Sequence, residues 1–462
     1  LNNGGNIEVA SDHSFNVKTA NSGVSGNLTL VSGAAENASS TFGITDSDDV
    51  LVGGNFSATT DGNNGAIVMR TLQVDGTIAL QTHGTGNGTI ENNDTIDFLA
   101  STIGGNLNAT ASAGNITDTG ALTVTGTTTL VTSANNATIS LDTTTNAFTG
   151  AFTITTNDDS GADADVTIDG GTTAVIIAAS TIDGDLTVTS GNASGITDSG
   201  AVTVAGNLVA TTDANNGVIN LGTTTVTGTM DLTSHGSGDV TIDNATTDIV
   251  LIASEIGGNL TLTTGNASGI IDSGTVTVGG NLVATTDDNS GVITLDNLEV
   301  DGIFTLAPNS TGAVTIVNDD GLTLAASTMG GTFSGTATAG NITQTGTLTI
   351  TGATTLVTSA NDATITLTDT SNAFGTEQDD AGRVDLSTQG TSGHVTLVQG
   401  DGNGYLTFDA SEVRGNLTVT TNEEGRVKQT GILTVDGTTD INADDKNQNV
   451  LLNSYENVLT GA

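Results

Sequence analysis

The chain repeats itself, and this repeat constrains the fold more than any other feature of the sequence. Residues 184–200 read GDLTVTSGNASGITDSG, and residues 258–274 read GNLTLTTGNASGIIDSG. A chain built from copies of one unit grows by stacking the copies, so its length sets no limit on a single domain. The sequence therefore predicts a solenoid and not a set of separate globular domains.

One glycine in each copy marks where the repeat begins, just before a short strand-like run. These marker glycines are Gly26, Gly105, Gly184, Gly258, Gly331 and Gly415, and the intervals between their numbers are nearly regular. We expect one continuous solenoid over residues 1–462, with repeats at approximately 1–25 (partial), 26–104, 105–183, 184–257, 258–330, 331–414 and 415–462 (partial).

Each repeat divides into shorter steps that predict the type of solenoid. Gly184, Gly206 and Gly228 follow one another at equal intervals, the short step, and the third interval, from Gly228 to Gly258, is a longer step. A short step holds three runs in which apolar and polar residues alternate, the period of half-buried strands. Such steps indicate an all-β fold, a single-stranded parallel β-helix of about 18 coils in about six three-coil repeats, roughly 85 Å long at ~4.8 Å per coil.

Two other all-β architectures fit the pattern less well. A β-sandwich requires hairpin turns between antiparallel strands and does not explain copies at constant spacing. A β-propeller has blades of about 40–50 residues with aromatic marker residues, whereas this chain has no Trp and 3% aromatic residues.

Composition limits the partners that the chain can bind. With 51 acidic and 7 basic residues the formal net charge is -44, which would repel nucleic acid and anionic membrane surfaces. There is no Cys, which excludes disulfides and thiolate metal sites. No apolar run is long enough to predict a membrane-spanning helix. Because the chain begins with Leu1 and not Met, we expect it to be an excerpt of a longer, processed chain.

Asparagine recurs at one position of neighbouring coils. Asn27 and Asn259 follow marker glycines, and Asn55 and Asn281 follow Gly54 and Gly280, the glycines that open the next step. Asparagine side chains stacked from coil to coil could form short ladders. The alternative is that each Asn is a simple turn residue.

The two longest steps carry acidic insertions, at residues 157–165 and 376–382. Four carboxylates within the first insertion are the oxygen ligands that Ca²⁺ prefers, and a second, smaller group follows at residues 401–404. The candidate calcium ligands are Asp158, Asp159, Asp163, Asp165, Asp401 and Asn403. Calcium is the one cofactor that the sequence suggests, although neither stretch matches an EF-hand or a glycine-rich nonapeptide array, and a solvated acidic loop is the alternative.

Other chemistry is not expected. Enzymes that cleave polysaccharides on β-helices set acids beside Lys or Arg and hold sugars with aromatic rings. The basic residues are scattered in this sequence, and Tyr405 and Tyr455 are its only tyrosines. His83 and His235 follow equivalent strands two repeats apart, so we expect solvated turn residues that share no metal. Outward threonines are interrupted by Gly, Asn and Ala, which argues against an ice-binding face.

Three stretches resemble the β-strand repeats of filamentous-haemagglutinin-like proteins, which are very large bacterial surface exoproteins. They read LASTIGGNL at residues 99–107, NITDTGALTV at 115–124 and TISLD at 138–142, and the resemblance covers most of residues 26–462. It implies a right-handed parallel β-helix that is exported across the outer membrane and serves as the stalk of an adhesin or a biofilm-matrix protein. No stretch resembles the secretion domain or a receptor-binding domain of that family.

The sequence therefore leads us to expect a non-catalytic rod or stalk segment of a large secreted bacterial adhesin or extracellular-matrix fibre, outside the cell or at the bacterial surface. Expected partners are host, cell-surface or matrix glycans and proteins, bound by regions outside this segment, together with end-to-end or lateral self-association. One alternative is an extracellular filament subunit that docks head to tail. The other is a β-helix that binds or cleaves carbohydrate.

Overall fold

The computed structural model describes residues 4–19, 23–33, 42–60, 64–157, 163–213, 216–375, 382–400, 405–421, 426–443, 449–454 and 456–461. Over these residues the fold is all-β, with parallel strands stacked as a β-solenoid of about 19 turns, and it contains no helix. The predicted fold class is thus confirmed. The chain divides into an N-terminal unit, Leu1–Gly238, and a C-terminal unit, Asp239–Ala462, which are described separately.

The strands of the N-terminal unit are short, and turn residues separate each strand from the next. They are β1 Ile7–Ser11, β2 Phe15–Val17, β3 Leu28–Ser32, β4 Ile44–Asp46, β5 Val50–Val52, β6 Phe56–Thr59, β7 Ile67–Val74, β8 Ile78–Gln81, β9 Gly88–Asn92, β10 Ile96–Phe98, β11 Ser101–Ile103, β12 Leu107–Ala111, β13 Ile116–Asp118, β14 Leu122–Val124, β15 Thr128–Thr132, β16 Ile139–Leu141, β17 Ala147–Phe148, β18 Phe152–Thr155, β19 Val166–Asp169, β20 Val175–Ile177, β21 Ser180–Ile182, β22 Leu186–Ser190, β23 Ile196–Asp198, β24 Val202–Val204, β25 Leu208–Thr212, β26 Ile219–Leu221, β27 Thr224–Val226 and β28 Met230–Ser234.

The C-terminal unit continues with the same kinds of strand. They are β29 Val240–Asp243, β30 Ile249–Leu251, β31 Ser254–Ile256, β32 Leu260–Thr264, β33 Ile270–Asp272, β34 Val276–Val278, β35 Leu282–Thr286, β36 Ile293–Val300, β37 Ile303–Ala307, β38 Val314–Asn318, β39 Leu322–Leu324, β40 Ser327–Met329, β41 Phe333–Ala337, β42 Ile342–Gln344, β43 Leu348–Ile350, β44 Thr354–Asn361, β45 Ile365–Leu367, β46 Ala373–Phe374, β47 Arg383–Gln389, β48 Val395–Gln399, β49 Tyr405–Phe408, β50 Ser411–Val413, β51 Leu417–Thr421, β52 Arg426–Gln429, β53 Leu433–Val435, β54 Thr439–Ala443, β55 Val450–Leu451 and β56 Val458–Leu459.

Alternation along each strand produces the core. In β22 the side chains of Leu186, Val188 and Ser190 are buried, and the threonines between them are half-exposed. The next turn repeats this in register, because Leu186 lies opposite Leu208 in β25. Each fully buried Leu, Ile or Phe contributes about 1.5–3 kcal/mol relative to an exposed position. Columns of such residues therefore hold the turns together.

The longer third step of each repeat contains an additional half-turn. In the N-terminal unit, long strands β3, β6 and β8 stack on one sheet, and the short strands β10 and β11 then follow β8 on that same sheet. On the opposite sheet the succession is the reverse, from short strands to a long one. There, long strand β9 stacks on β7, whose two short segments are separated by a bulge. Long strands and pairs of short strands thus exchange sheets at the third step.

The C-terminal unit makes the same exchange independently. Gly280 and Gly302 are separated by one short step, and Gly331 follows after a longer one. Within this longer step, long strand β38 stacks on the bulged pair in β36, while short strand β39 stacks on long strand β37. Consecutive repeats are therefore related by a stacking translation combined with a rotation of half a turn.

A buried asparagine lies at this exchange of sheets. The Asn318 side chain is inaccessible to solvent. Its Oδ1 accepts the Val300 N–H at 2.8 Å, and its Nδ2 donates to the carbonyls of Val300 at 3.0 Å and Gly321 at 2.7 Å. Asn92 makes the equivalent bonds to Val74 and Thr95 in the N-terminal unit. A buried amide here satisfies backbone groups at the end of the bulged strand and at the corner that follows the long strand.

A buried hydroxyl holds the corner at the end of many long strands. Thr286 Oγ1 donates to the Gly291 carbonyl at 2.9 Å and accepts the Asn309 N–H of the next turn at 2.9 Å. The same bond, to a carbonyl slightly further along the chain, is made by Thr60, Thr82, Thr132, Thr212, Ser234, Thr358 and Thr388. The single proline, Pro308, lies at this corner and not within a strand, which agrees with its lack of a backbone donor.

Candidate functional surfaces

Side-chain oxygens form short ladders just before the long strands, so the corner that carries them changes when the long strands exchange sheets. In each rung a carboxamide or carboxylate oxygen of Asn or Asp accepts the backbone N–H of the equivalent residue one turn later. The acceptors are Asn6, Asn27, Asn55, Asn87, Asn106, Asp165, Asp185 and Asn207 in the N-terminal unit, and Asp239, Asn259, Asn281 and Asn416 in the C-terminal unit, at distances of 2.7 to 3.1 Å. Asparagine thus recurs from turn to turn as the ladder interpretation expects, but its oxygens accept backbone N–H groups, and the side chains of successive rungs bond to each other where Asn207 and Asn259 donate to Asp185 and Asp239.

The calcium candidates lie largely outside the described residues: Asp158, Asp159, Asp401 and Asn403 all do. Asp163 is exposed, and Asp165 is a rung whose Oδ1 accepts the Asp185 N–H at 2.9 Å. Within the described ranges, no three His, Asp or Glu side chains converge as a metal ion requires. The calcium hypothesis stays a prediction, and the structure adds that Asp165 also supports the fold.

The two equivalent histidines hold corners. His83 Nδ1 lies 2.7 Å from the Thr60 carbonyl, and His235 Nδ1 lies 2.6 Å from the Thr212 carbonyl. A carbonyl can only accept, so each ring donates Nδ1–H across the turn. His394 instead occupies a rung position, where its Nδ1 accepts the Asn416 N–H at 2.9 Å. The sequence predicts turn residues at His83 and His235. The structure shows in addition that each ring bonds to a threonine carbonyl of the previous turn.

Two equivalent polar side chains show how the short strands are tied together. Asp118 accepts a hydrogen bond from Asn146 Nδ2 at 2.6 Å and one from the Asp142 N–H at 3.1 Å. Burial raises the pKa of Asp118 despite these bonds. Gln344 occupies the equivalent position in a later repeat and exchanges two amide bonds with Asn372, at 2.8 and 2.9 Å. Asp118 and Gln344 each bond to the asparagine of the next turn, but only Gln344 does so with a side chain that cannot carry a charge.

Acids and cations meet in one shallow groove of the C-terminal unit. Asp385, Ser387, Glu412, Ile432 and Thr434 are among the residues that line it. Burial and the nearby Asp409 raise the pKa of Asp385. The cations at its margins pair with acids, because Arg383 lies 3.6 Å from Asp409 and Arg414 lies 3.1 Å from Asp436 and also contacts Glu412. The hydrogen bond from Arg414 to Asp436 is the main cause that raises the pKa of this guanidinium.

Three residues that appear scattered in the sequence meet on the paired strands β49 and β52 of the same unit. Arg426 Nη1 donates to the Tyr405 hydroxyl at 2.8 Å, and its guanidinium carbon is 5.3 Å from the ring centroid. Lys428 Nζ lies 4.7 Å from the same centroid. We call Tyr405, Arg426 and Lys428 the basic patch. The sequence did contain a signal for it, since the interval from Tyr405 to Arg426 is close to one short step.

No helix in the described part of the chain is long and apolar enough to cross a membrane.

Comparison with known proteins identifies the repeat but gives no activity. Five segments match a family described as repeats of unknown function (DUF5649), at residues 85–155, 163–222, 237–306, 311–379 and 392–462. Each segment starts just before a long strand that follows the exchange of sheets: β9, β19, β29, β38 or β48. No curated protein and no solved structure matches the chain. The matched segments cover most of the sequence, and the chain belongs to this family of repeats of unknown function.

Proposed function

We propose that this chain is a non-catalytic spacer, a rod or stalk segment of a large secreted bacterial adhesin or extracellular-matrix fibre. The observation that carries the proposal is the continuity of hydrogen bonding from turn to turn. In each unit the parallel ladder, the Asn and Asp rungs and the corner hydroxyls all bond one turn to the next. A load applied along such a stack is shared by several bonds at every turn.

The surface suits a segment that stays extended in solution. Outward positions of strands such as β22 and β32 are threonine, which fits a pleated surface and remains hydrated. The net charge of -44 opposes collapse of neighbouring chains onto each other. A location outside the cell or at the bacterial surface belongs to the same proposal, with glycan or protein ligands bound by regions beyond this segment.

Single-molecule stretching between the two ends tests the mechanical role. A spacer of this kind is expected to resist force and then unfold in discrete events. Each event should release one repeat or a small number of repeats, about 260 Å of contour for a repeat of this length at ~3.5 Å per residue. Gradual extension at low force, without discrete events, would contradict the proposal. Release of reducing sugar from any of a panel of polysaccharides would contradict its non-catalytic part.

A second candidate, carbohydrate binding, is favoured by the groove at Asp385 and Glu412. Carboxylates and hydroxyls there can bond to sugar hydroxyls, and Ile432 offers an apolar surface that is 40% exposed. A glycan array probed with the whole chain and with an Asp385→Asn, Glu412→Gln variant separates the two ideas. Binding that the variant loses supports the second candidate. An array without signal argues against carbohydrate binding, and the spacer is then the one remaining proposal.

A further inference from the structure

The basic patch carries residues that differ from those of other repeats at the same positions. Strand pairing makes Lys428 equivalent to the central residue of four other short strands, which are Thr117, Thr197, Ile271 and Thr343. By the same pairing, the position of Arg426 is taken elsewhere by Asn115, Gly195, Gly269 and Asn341. The fold therefore forms without a cation at either position.

The geometry of the patch limits the mobility of its charged groups. Tyr405 lies opposite Arg426 across the strands, and Arg426 is exposed. A guanidinium or ammonium held on an aromatic ring contributes about 0.5–1 kcal/mol at an exposed site. Side chains already ordered in this way lose less conformational entropy when a partner binds. Tyr and Arg are also the residue types that dominate binding energy at protein interfaces.

We propose that the basic patch docks onto carboxylates of a second copy of this chain, so that copies associate side by side. The argument is charge complementarity. A sister chain presents 51 acidic residues against 7 basic ones, so nearly any part of its surface attracts the patch while repelling the remainder. A specific contact between such chains needs a local cation, and Arg426 and Lys428 provide one. This inference goes beyond the spacer role and does not depend on it.

The acceptor that the described surface favours is a group of four exposed carboxylates, which we call the acidic corner: Glu299, Asp301, Asp319 and Asp320. None of the ion pairs found among the described residues involves it. Burial, followed by repulsion from the other three acids, raises the pKa of Asp319. A cation from a neighbouring chain would relieve that repulsion.

Patch and corner are different surfaces, so the contact is heterologous. A heterologous contact leaves one patch and one corner unused in every dimer, and association can continue to larger arrays. An isologous contact would stop at the dimer. The two kinds of contact predict different results when variants are mixed.

Sedimentation velocity on the whole chain tests the proposal. We expect concentration-dependent association at about 0.05 M NaCl that disappears at about 0.5 M, because salt screens exposed charges. The variant Arg426→Asn, Lys428→Thr places residues that other repeats carry at the same positions, so it should fold. Its dissociation constant should rise at least about tenfold, the effect of losing roughly 1.4 kcal/mol. Circular dichroism checks that its strand content is retained.

A matched control removes the same charge elsewhere. Lys18→Thr, Arg70→Asn loses two cations from the N-terminal unit, where they pair with Asp48 and Glu91. This variant should associate like the original chain. If it weakens association as much as the patch variant does, net charge and not the patch is responsible, and the proposal is overturned.

Mixing experiments identify the geometry. Asp319→Asn, Asp320→Asn should also prevent association, but a mixture with the patch variant should form dimers, because one intact patch meets one intact corner. Failure of the mixture to associate overturns the patch-to-corner contact. A chain that is monomeric at every salt concentration but binds polygalacturonate overturns self-association, and would assign the patch to an acidic polysaccharide.

Discussion

Replacing Asn318 by alanine should loosen the fold at the point where long and short strands exchange sheets. The side chain makes three hydrogen bonds, all to backbone groups, and is inaccessible to solvent. Alanine removes all three and leaves the Val300 N–H and two carbonyls without their partner. A hydrogen bond contributes about 0.5–1.5 kcal/mol net, and a buried polar group left unsatisfied costs about 1–3 kcal/mol. We expect a local loss of about 3–5 kcal/mol.

Hydrogen exchange is the appropriate assay, because the stability of a stacked repeat is local and a single unfolding free energy is not well defined for a long array. A loss of about 3 kcal/mol predicts exchange on the order of 100-fold faster at the Val300 amide. Asn297→Ala is the control, since Asn297 is exposed and its side chain contacts only Thr275 Oγ1, at 3.4 Å, among the bonds described. Unchanged protection of Val300 in the Asn318→Ala chain would refute the role given to the buried amide.

Other positions lead to three more predictions. Thr286→Ala should cost about 1–3 kcal/mol locally, whereas Thr286→Ser should retain most of the protection of the corner in hydrogen exchange. Because the pKa of Asp118 is raised in the folded state, its contribution to stability is present below the unfolded value of 3.8 and is lost as pH rises through the folded pKa. Asp118→Gln, which copies Gln344, should therefore slow hydrogen exchange of the neighbouring amides at pH 7 and not at about pH 3; equal effects on protection at both values would contradict this. Calorimetric titration should detect calcium uptake at millimolar concentration that Asp158→Asn, Asp159→Asn removes, and a flat isotherm from the unaltered chain would end the calcium hypothesis.

The parts of the fold that sequence predicts well are those set by neighbouring residues. Alternation in stretches such as 186–190 identifies the inward and outward faces, because a strand has a period of two. The recurrence of Asn after glycines that open a step predicts that equivalent side chains lie on adjacent turns, but it does not specify that they bond to backbone N–H groups. Asp165 follows Ala164 and no such glycine, so the sequence indicates a calcium ligand there and not a rung.

What sequence could not give is the pairing between distant strands. A third step as long as that from Gly228 to Gly258 can hold one enlarged turn or one and a half ordinary turns. Only the partner of a strand such as β9 distinguishes these possibilities. The basic patch depends on the same information, because Tyr405 and Lys428 come together only once β49 is known to pair with β52. The extra half-turn and the basic patch both depend on which strands pair with each other, and the sequence of a single repeat does not specify that pairing.

The half-turn exchange has a consequence for how such a chain can change length. Within a unit, a duplication or loss of one repeat moves the residues of the next repeat to the opposite side of the stack, whereas a change by two repeats returns them to their original side. A surface such as the basic patch would keep its orientation relative to the rest of its own unit only through paired gains and losses. We therefore expect functional variants of this chain to differ by even numbers of repeats.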